Sequence, residues 1–365
     1  MRITRLQLTD FRNYERMTIE PSPGLTIVVG PNAVGKTNIV EAIQLVTAAR
    51  SFRRPEPSEL VRWGADQARV CMRAEEDPRL LEIQLDVDNE GHRAYLVNGQ
   101  AKRRHSDVAG LLPSVVFTPD DLGMVKGPAE RRRASIDDLG EQLSATYGSL
   151  RRDYGRAVRQ RNTLLKEGVS GGPAADWDEQ VAILGARFVV HRLRLLERVM
   201  EQASLRYAQM SNGETLGYTY ADHCGLGTCG SREPEEVAAA IRERMESRRA
   251  EERRRMVTLT GPHRDDIVIE IDGRDARSFA SQGQQRTVAL AWKLAEVAVV
   301  EDVLRRKPVL LLDDVMSELD ADRRAALSEV VSSEVQTIVT TTNTGYFSGE
   351  MLERSLVVPI ERGGR

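Results

Sequence analysis

GPNAVGKT, at residues 30–37, decides the fold. It follows the short apolar run LTIVV (25–29) and opens a helical pattern from Lys36 through Ala49. The spacing G-x4-G-K-[ST] between a strand and a helix is that of a phosphate loop. Gly30 and Gly35 let the backbone through Pro31, Asn32, Ala33 and Val34 curl, so that the available N–H groups turn inward. Those groups and the N-terminus of the helix form a nest for phosphate anions. Lys36 is expected to reach the β- and γ-phosphates, and the Thr37 hydroxyl to ligate Mg²⁺. The expected cofactors are therefore ATP and Mg²⁺.

The far end of the chain supplies a complementary pattern. PVLLLDD (308–314) is an apolar run that ends in two carboxylates. Such a run is a buried parallel strand, and ligands of open α/β sheets bind at the carboxyl ends of the strands. Asp313 is placed to hold the Mg²⁺ shell and Asp314 to polarise an attacking water. By itself the pair could be two capping carboxylates on a loop; the phosphate loop gives it weight. Shortly before this strand comes ASQGQQR (280–286). Alone, SQGQ is an ordinary polar segment at a helix N-terminus. Between the other two motifs, Ser281, Gly283 and Gln284 resemble the signature loop of ABC-type ATPases, which caps the ATP held by a partner subunit. Ser281 can donate to a γ-phosphate, and Gly283 permits close backbone approach. Asp320, in SELD (317–320), fits the D-loop after the carboxylate strand.

Between the ends the pattern changes twice. Residues 2–8, 68–75, 80–87, 93–98 and 114–118 read as strands, with a turn at 88–91. Helical spacing begins near residue 128 and continues through 128–168, 177–210 and 234–256, broken by the Gly/Pro-rich loop 168–176. Strand patterns return at 267–271, 308–312 and 335–341, with a helix at 284–303. The expected fold class is α/β: an ABC-ATPase (P-loop) head with a mixed sheet and an inserted, mainly helical second lobe. The expected boundaries are 1–125 and 257–365 for the ATPase lobe and 126–256 for the insertion. No hydrophobic repeat is long enough for an extended coiled coil.

Composition narrows the class. The 365 residues carry a formal net charge of -3, with 29% charged and 41% hydrophobic residues. That is an ordinary globular composition, not a globally basic nucleic-acid coat. Any DNA contact must come from a local surface. Arginine supplies 46 of the 52 basic residues. Two helical segments could form such a surface: Arg131, Arg132, Arg133, Arg151, Arg152, Arg156, Arg159 and Arg161 in one, Arg248, Arg249, Arg253, Arg254 and Arg255 in the other. Interleaved Glu and Asp make a solvated, salt-bridged surface an equal reading of both. Cys71, Cys224 and Cys229 are too few for a disulfide scaffold and fit a reducing cytoplasm. His223, Cys224 and Cys229 lack a fourth ligand and a C-x2-C pair, so zinc is not expected. No apolar stretch reaches the roughly 18–20 residues of a membrane span.

Over nearly its whole length the chain resembles the RecF family of ABC-ATPase heads, which are related to Rad50 and SMC heads. The resemblance rests on LTDFRNY (8–14), GPNAVGKTNIVEAI (30–43), VVFTPDDLGMVKGPAERRRASID (115–137), QRNTLLK (160–166), GPHRDD (261–266), SQGQQR (281–286) and LLLDDVMSELD (310–320). It implies a DNA-binding, ATP-dependent homodimer of recombinational repair that works with RecR and RecO to load RecA at gaps. It also implies that Arg12 and Asn13 lie near the nucleotide and that Asn38 sits beside the phosphates or metal. Three positions depart from transporter ABC domains. The usual catalytic Glu is Asp314, the switch His is absent from VTTTNT (339–344), where Thr341 stands, and TPDD (118–121) has no Gln. Each removes or retracts a group that positions water, so slow hydrolysis is expected. An SMC/Rad50-like structural head, a transporter nucleotide-binding subunit and a small-molecule kinase are the alternatives.

Overall fold

The computed structural model describes residues 1–76, 78–104, 107–169, 172–211, 213–224, 233–332 and 335–361. They divide into two compact units, residues 1–122 with 289–365, and residues 123–288.

In the first unit β1 (Arg2–Phe11), β2 (Tyr14–Ile19), β4 (Gln67–Glu76), β5 (Arg79–Asp88), β6 (Arg93–Val97) and β7 (Gln100–Lys102) form an antiparallel sheet in the order β2-β1-β4-β5-β6-β7. Its strands alternate buried and exposed residues, as a sheet with one covered face requires. A second, all-parallel sheet takes β3 (Leu25–Val29), β8 (Ser114–Phe117), β12 (Val309–Asp313), β13 (Thr337–Thr341) and β14 (Leu356–Pro359) in the order β14-β3-β13-β12-β8. Here β8, β12 and β13 are buried at every position. The expected mixed sheet is thus two sheets, one of each kind.

Helix α1 (Lys36–Ala48) packs against both: β8, β12 and β13 on one side, β4 and β5 on the other. This is why 11 of its 13 residues are buried and why it shows no polar face. The Gln336 side chain fastens the two sheets at the opposite end. It accepts from Ile3 N–H (2.7 Å) and donates to the carbonyls of Ile3 (2.8 Å) and Ser22 (2.9 Å).

The second unit holds α2 (Ala129–Leu143), α3 (Ala145–Lys166), α4 (Gly172–Met210) and α5 (Pro234–Arg255). It also holds the antiparallel sheet β11-β10-β9, built from β9 (Leu216–Ala221), β10 (Asp266–Ile271) and β11 (Arg274–Asp275). The helical pattern of 128–168 breaks at Ser144, whose hydroxyl accepts from Tyr147 N–H and caps α3. The stretch 257–288 groups with this unit, not with the nucleotide lobe as its sequence suggested. The reason is pairing: β10 bonds to β9 along its whole length. Short α6 (Ala276–Phe279) then leads into α7 (Gln282–Leu304), which belongs to the first unit from residue 289.

The centre of the second unit is polar. Arg192 is buried and forks onto Asp137 (2.9 and 2.8 Å), while its third nitrogen donates to Pro262 O (2.7 Å) and Tyr220 OH (3.1 Å). Tyr147 OH donates to Asp137 (2.7 Å) and Tyr220 OH to Asp265 (2.7 Å). The GPHRDD segment is therefore the inner hub of this unit. His263 lies 2.6 Å from Tyr154 OH through Nδ1 and 3.2 Å from Thr258 O through Nε2. A neutral ring with the proton on Nε2 satisfies both contacts. Burial pushes its pKa down to about 4.

A depressed histidine pKa stabilises the fold above the unfolded-state value of about 6.5 and stops doing so as pH falls towards the folded value. Unfolding free energy should drop by roughly 3 kcal/mol between about pH 6.5 and 4 on this account. Denaturant titrations across that range should show His263→Gln with a flatter slope than wild type. Equal slopes would place the titration elsewhere.

Candidate functional site

The segment from Gly30 to Gly35 joins β3 to α1. Gly35 sits at φ 113°, in the left-handed region, and a Cβ there would come within 2.6 Å of the Asn13 amide. A Cβ on Gly30 would come within 2.4 Å of the Ile360 carbonyl. Gly35 is therefore required for backbone and for space, and Gly30 for space. Pro31, Asn32 and Ala33 are exposed at the rim, while Val34 is buried below it. Lys36 is buried, and its ammonium donates back across the loop to the carbonyls of Gly30 (2.9 Å) and Pro31 (2.8 Å). A cation thus lies over a glycine-rich loop at a helix N-terminus, an arrangement suited to a polyphosphate.

The tip of the β1–β2 hairpin clamps this loop from outside. Asn13 Nδ2 donates to Val34 O (2.8 Å), and Asn38 Nδ2 donates to Asn13 Oδ1 (2.7 Å). Arg53 donates to Asn38 Oδ1 (2.7 Å). Arg12, beside Asn13, turns the other way. Its guanidinium forks onto Glu41 (2.9 and 2.8 Å) and donates to Glu59 O (2.9 Å). Glu41 is fully buried in α1 and also accepts from Ser51 Oγ (2.6 Å). Of the two residues expected near the nucleotide, Asn13 touches the loop and Arg12 serves as its anchor. Sequence reading missed Glu41, Ser51 and Arg53. A lone acid inside the otherwise apolar run of α1 was the available signal for Glu41.

Asp313 ends β12, two strands away from β3, with β13 between them. Its carboxylate accepts from Thr340 Oγ1 (2.7 Å) and from the Thr37 hydroxyl. The two expected metal ligands are therefore neighbours. Burial raises the Asp313 pKa, against the opposing pull of Thr340, Thr37, Arg53 and Lys36. Asp314 takes a left-handed backbone at φ 53°, and its N–H is held by the carbonyl (3.1 Å) and hydroxyl (3.0 Å) of Thr340. Its Oδ1 is buried with no hydrogen-bond partner. Burial also raises its pKa, with Lys36 opposing and Asp313 and Glu318 reinforcing. An orphaned carboxylate oxygen beside a threonine hydroxyl and a second carboxylate fits a hard cation with bound water. Among the described residues no three His, Cys, Asp or Glu side chains form a metal cage on their own. A cation here would complete its shell with phosphate oxygens and water, as magnesium does. Cys229, the third member of the rejected zinc trio, lies outside the described residues.

The remaining positions have structural occupations as well. Thr341 pairs with Val29, and its hydroxyl donates to Asn343 O (3.0 Å). Asp121 of TPDD accepts from Thr118 N–H (2.8 Å) and Oγ1 (3.0 Å) and meets Lys293 at 3.3 Å. Burial lowers the Lys293 pKa, but Asp121 and Glu296 outweigh it and the net shift is upward. Asp320 accepts from Arg323 N–H (3.0 Å) and pairs with its guanidinium, capping α8 (Ala321–Ser332).

In the second unit Ser281 and Gln284 form a reciprocal cap on α7. Gln284 N–H donates to Ser281 Oγ (3.2 Å), and Ser281 N–H donates to Gln284 Oε1 (2.7 Å). Gln284 Nε2 also donates to Glu214 (2.7 Å). Ser281 remains exposed with its hydroxyl proton available, just before the first turn of α7, which contains Gly283. Phe279 beside it is exposed at 73%.

The arginine surfaces are smaller than the sequence suggested. Arg132 is buried between Asp266 (2.8 and 2.9 Å) and the carbonyls of Met124, Val125 and Gly127. Arg161 is buried between Asp178 (2.6 Å) and Glu252 (2.6 Å). Arg133, Arg151, Arg248 and Arg249 are likewise engaged within the unit. Arg152, Arg156 and Arg159 are exposed on one face of α3, and Arg253, Arg254 and Arg255 are exposed at the end of α5.

Known proteins resemble this chain over nearly its whole length. A family model described as the RecF/RecN/SMC N terminal domain matches residues 2–361. The DNA replication and repair protein RecF of Heliobacterium modesticaldum is 39% identical over 369 residues, covering 100% of this chain and 98% of its own. That of Symbiobacterium thermophilum is 41% identical over 346 residues, covering 94% and 92%. The solved structure of the recombination mediator protein RecF-ATPrS in the RecFOR pathway superposes with a TM-score of 0.91 at 30% identity, covering 99% of this chain and 96% of that one.

Gly35→Ala should abolish nucleotide binding, measured by isothermal titration calorimetry with ATP, while the far-ultraviolet spectrum stays native. Wild-type affinity in that variant would mean that the left-handed turn against Asn13 is not required.

Proposed function

The chain belongs to the RecF family, and on that premise we propose that it is an ATP-dependent DNA-binding protein of recombinational repair and replication-fork maintenance. The observation that carries this reading is a divided site. Lys36, Thr37, Asp313 and Asp314 gather at the carboxyl ends of β3 and β12 in one unit, whereas Ser281 stands exposed at a helix N-terminus in the other. Each protomer supplies both halves of a site that two copies complete. The phosphate loop from Gly30 to Asn38 holds the triphosphate, and Thr37 and Asp313 hold Mg²⁺. Asp314 orients the attacking water through its unpartnered oxygen. Ser281, Gly283 and the α7 N-terminus of the partner cap the γ-phosphate with charge-assisted hydrogen bonds.

Magnesium, when bound, neutralises developing charge on the phosphates. The protein's own groups position the reactants. Asp314 is one methylene shorter than glutamate and no histidine stands at Thr341, so hydrolysis is slow, well below about 10 s⁻¹. Hydrolysis removes the γ-phosphate bridge and releases the dimer, which makes ATP a switch on DNA affinity. The DNA partner is single-stranded, duplex or junction DNA, contacted through phosphates. RecR, acting with RecO, is the protein partner in loading RecA at gaps, in the cytoplasm. No helix among the described residues is long and apolar enough to cross a membrane.

Light scattering with ATP and Mg²⁺ should give a dimer for wild type and monomers for Lys36→Met and Ser281→Arg, of which only Ser281→Arg still binds ATP. A wild type that binds ATP and stays monomeric, with and without a gapped duplex, would sink the divided-site reading.

The exposed face of α3 generates a second expectation. Replacing Arg152, Arg156 and Arg159 together with Ala should weaken duplex binding. The slope of log affinity against log salt should fall by about 2 to 3, near 0.9 for each phosphate that is no longer neutralised. Titrations by fluorescence anisotropy at several salt concentrations measure both. An unchanged slope would remove this face from the DNA-binding surface.

A further inference from the structure

In the first unit, the amino-terminal ends of the parallel strands border a cleft of about 1220 Å³. Gly24 leads into β3 there, Pro308 into β12 and Gln336 into β13. The phosphate loop begins at Gly30, at the other end of β3. About 20 Å of extended chain therefore separates the two places. The frame of the cleft is fixed. Gln336 bonds to Ile3 and Ser22, and Thr337 N–H donates to Gly24 O (2.9 Å).

Positive charge gathers on its walls, although the chain as a whole carries a net charge of -3. Five cations, Arg2, Arg79, Arg305, Arg306 and Lys307, face three acids, Glu75, Glu76 and Glu301. Part of this has a local cause. Arg305 pairs with Asp302 (3.1 Å), and cations just past α7 complement the carboxyl end of a helix. That does not account for Arg2 at the start of β1 or Arg79 at the start of β5. These two and Arg306 make no ion pair or hydrogen bond through their guanidinium groups among the described residues. Glu76, by contrast, is already paired with the Met1 amine (2.9 Å). That bond lowers its pKa most, and Arg306 and Arg79 lower it further, so both guanidinium groups act on one place.

We propose that this cleft binds an acidic, extended segment of a partner protein, with its carboxylates on Arg2, Arg79 and Arg306 and an apolar side chain against Leu80. Guanidinium forks suit carboxylates. The volume exceeds the roughly 300–1,000 Å³ of small-molecule sites, so a stretch of chain fills it better than a metabolite. Leu80 is exposed at 54% and shares the lining with Pro23, Pro78 and Pro308, which offer apolar surface and no N–H. Nucleic acid fits less well. No aromatic side chain lines the cleft, so unpaired bases have nothing to stack on. The three glutamates among the cations oppose a continuous row of phosphates, whereas a peptide can space its carboxylates between them.

The test uses the full chain and a fluorescein-labelled peptide of alternating glutamate and leucine, read by fluorescence anisotropy at low ionic strength. Wild type should bind it, more weakly as salt rises, and should not bind the same peptide with glutamine for glutamate. Arg79→Glu with Arg306→Glu should weaken binding by about 10-fold or more, and Arg79→Gln with Arg306→Gln by less. A lysine–leucine peptide should bind the charge-reversed variant and not wild type, a gain that damage to the fold would not produce. ATP affinity and the denaturant midpoint should match wild type, because neither arginine touches the phosphate loop. If wild type binds no acidic peptide, or binds the glutamine peptide equally, the proposal is overturned. Unchanged peptide affinity in the reversed variant would overturn it too. If duplex DNA displaces the peptide and loses affinity by the same factor on reversal, the cleft serves DNA and the proposal falls. If light scattering shows that wild type self-associates and the reversed variant does not, a second copy covers the cleft, and the proposal falls likewise.

Discussion

The nucleotide lobe depends on the parallel register of three strands. Val29, Thr341 and Asp313 lie at the carboxyl ends of β3, β13 and β12, because Thr341 pairs with Val29 and Asp313 with Thr340. A phosphate loop at the end of one strand and carboxylates at the end of another become neighbours only if the strand between them holds both in step. Register in a buried parallel sheet is strongly specified, since a one-residue slip would exchange the side chains on its two faces. Thr340 shows how directly the middle strand participates. It holds the Asp313 carboxylate and the Asp314 N–H at once. A slip of β13 would release both carboxylates from the loop they serve.

Around that frame, the lobe places charge inside the protein. Glu41 is fully buried and is matched by Arg12, Arg53 and Ser51. Burial of an ion pair is a weak source of stability, because desolvation offsets the attraction. Its consequence is geometric. Fixing Arg12 fixes the hairpin tip, and the tip puts Asn13 against the loop at the point where Gly35 leaves no room for a side chain. The same constraint governs arginine throughout the second unit. Arg132, Arg161 and Arg192 reach across segments distant in sequence and fork onto buried or half-buried acids. The planar guanidinium presents a rigid fork that meets both oxygens of a carboxylate at once, a geometry the point charge of lysine lacks. These three arginines therefore belong to the interior and not to a surface.

This distinction explains what was legible in the sequence. The strands 25–29 and 309–313 and the helix after Lys36 were visible because each is a short apolar run bounded by glycine or acid. The residues at their ends stood out as candidates, because phosphate and metal chemistry requires particular types at particular spacings. Strands 14–19, 216–221 and 356–359 were missed, since each is short and lies next to stronger helical or turn patterns. Thr340 was missed for another reason. In TIVTT every residue is buried, so alternation cannot reveal which threonine faces the carboxylates. The arginine surfaces were drawn too widely, since Arg132 and Arg161 are buried. Charge on a helix reads as exposed until a distant acid, such as Asp266 for Arg132, is brought to it by the fold.

The placement of the signature segment follows from the same tertiary logic. Residues 257–288 lie close in sequence to the carboxylate strand, and the motif SQGQ gains its meaning from that proximity. Yet β10 pairs with β9 and Gln284 is tied to Glu214, so the segment's own bonds hold it within the inserted unit. Only α7, continuing past residue 288, belongs to both. The cap is built in one unit and the phosphate loop in the other. Each is held by its own polar contacts, Glu214 and Gln284 for the cap, Glu41 and Asn13 for the loop. On the proposed reading, a nucleotide that joins two protomers has only to bias an arrangement of parts that are already built.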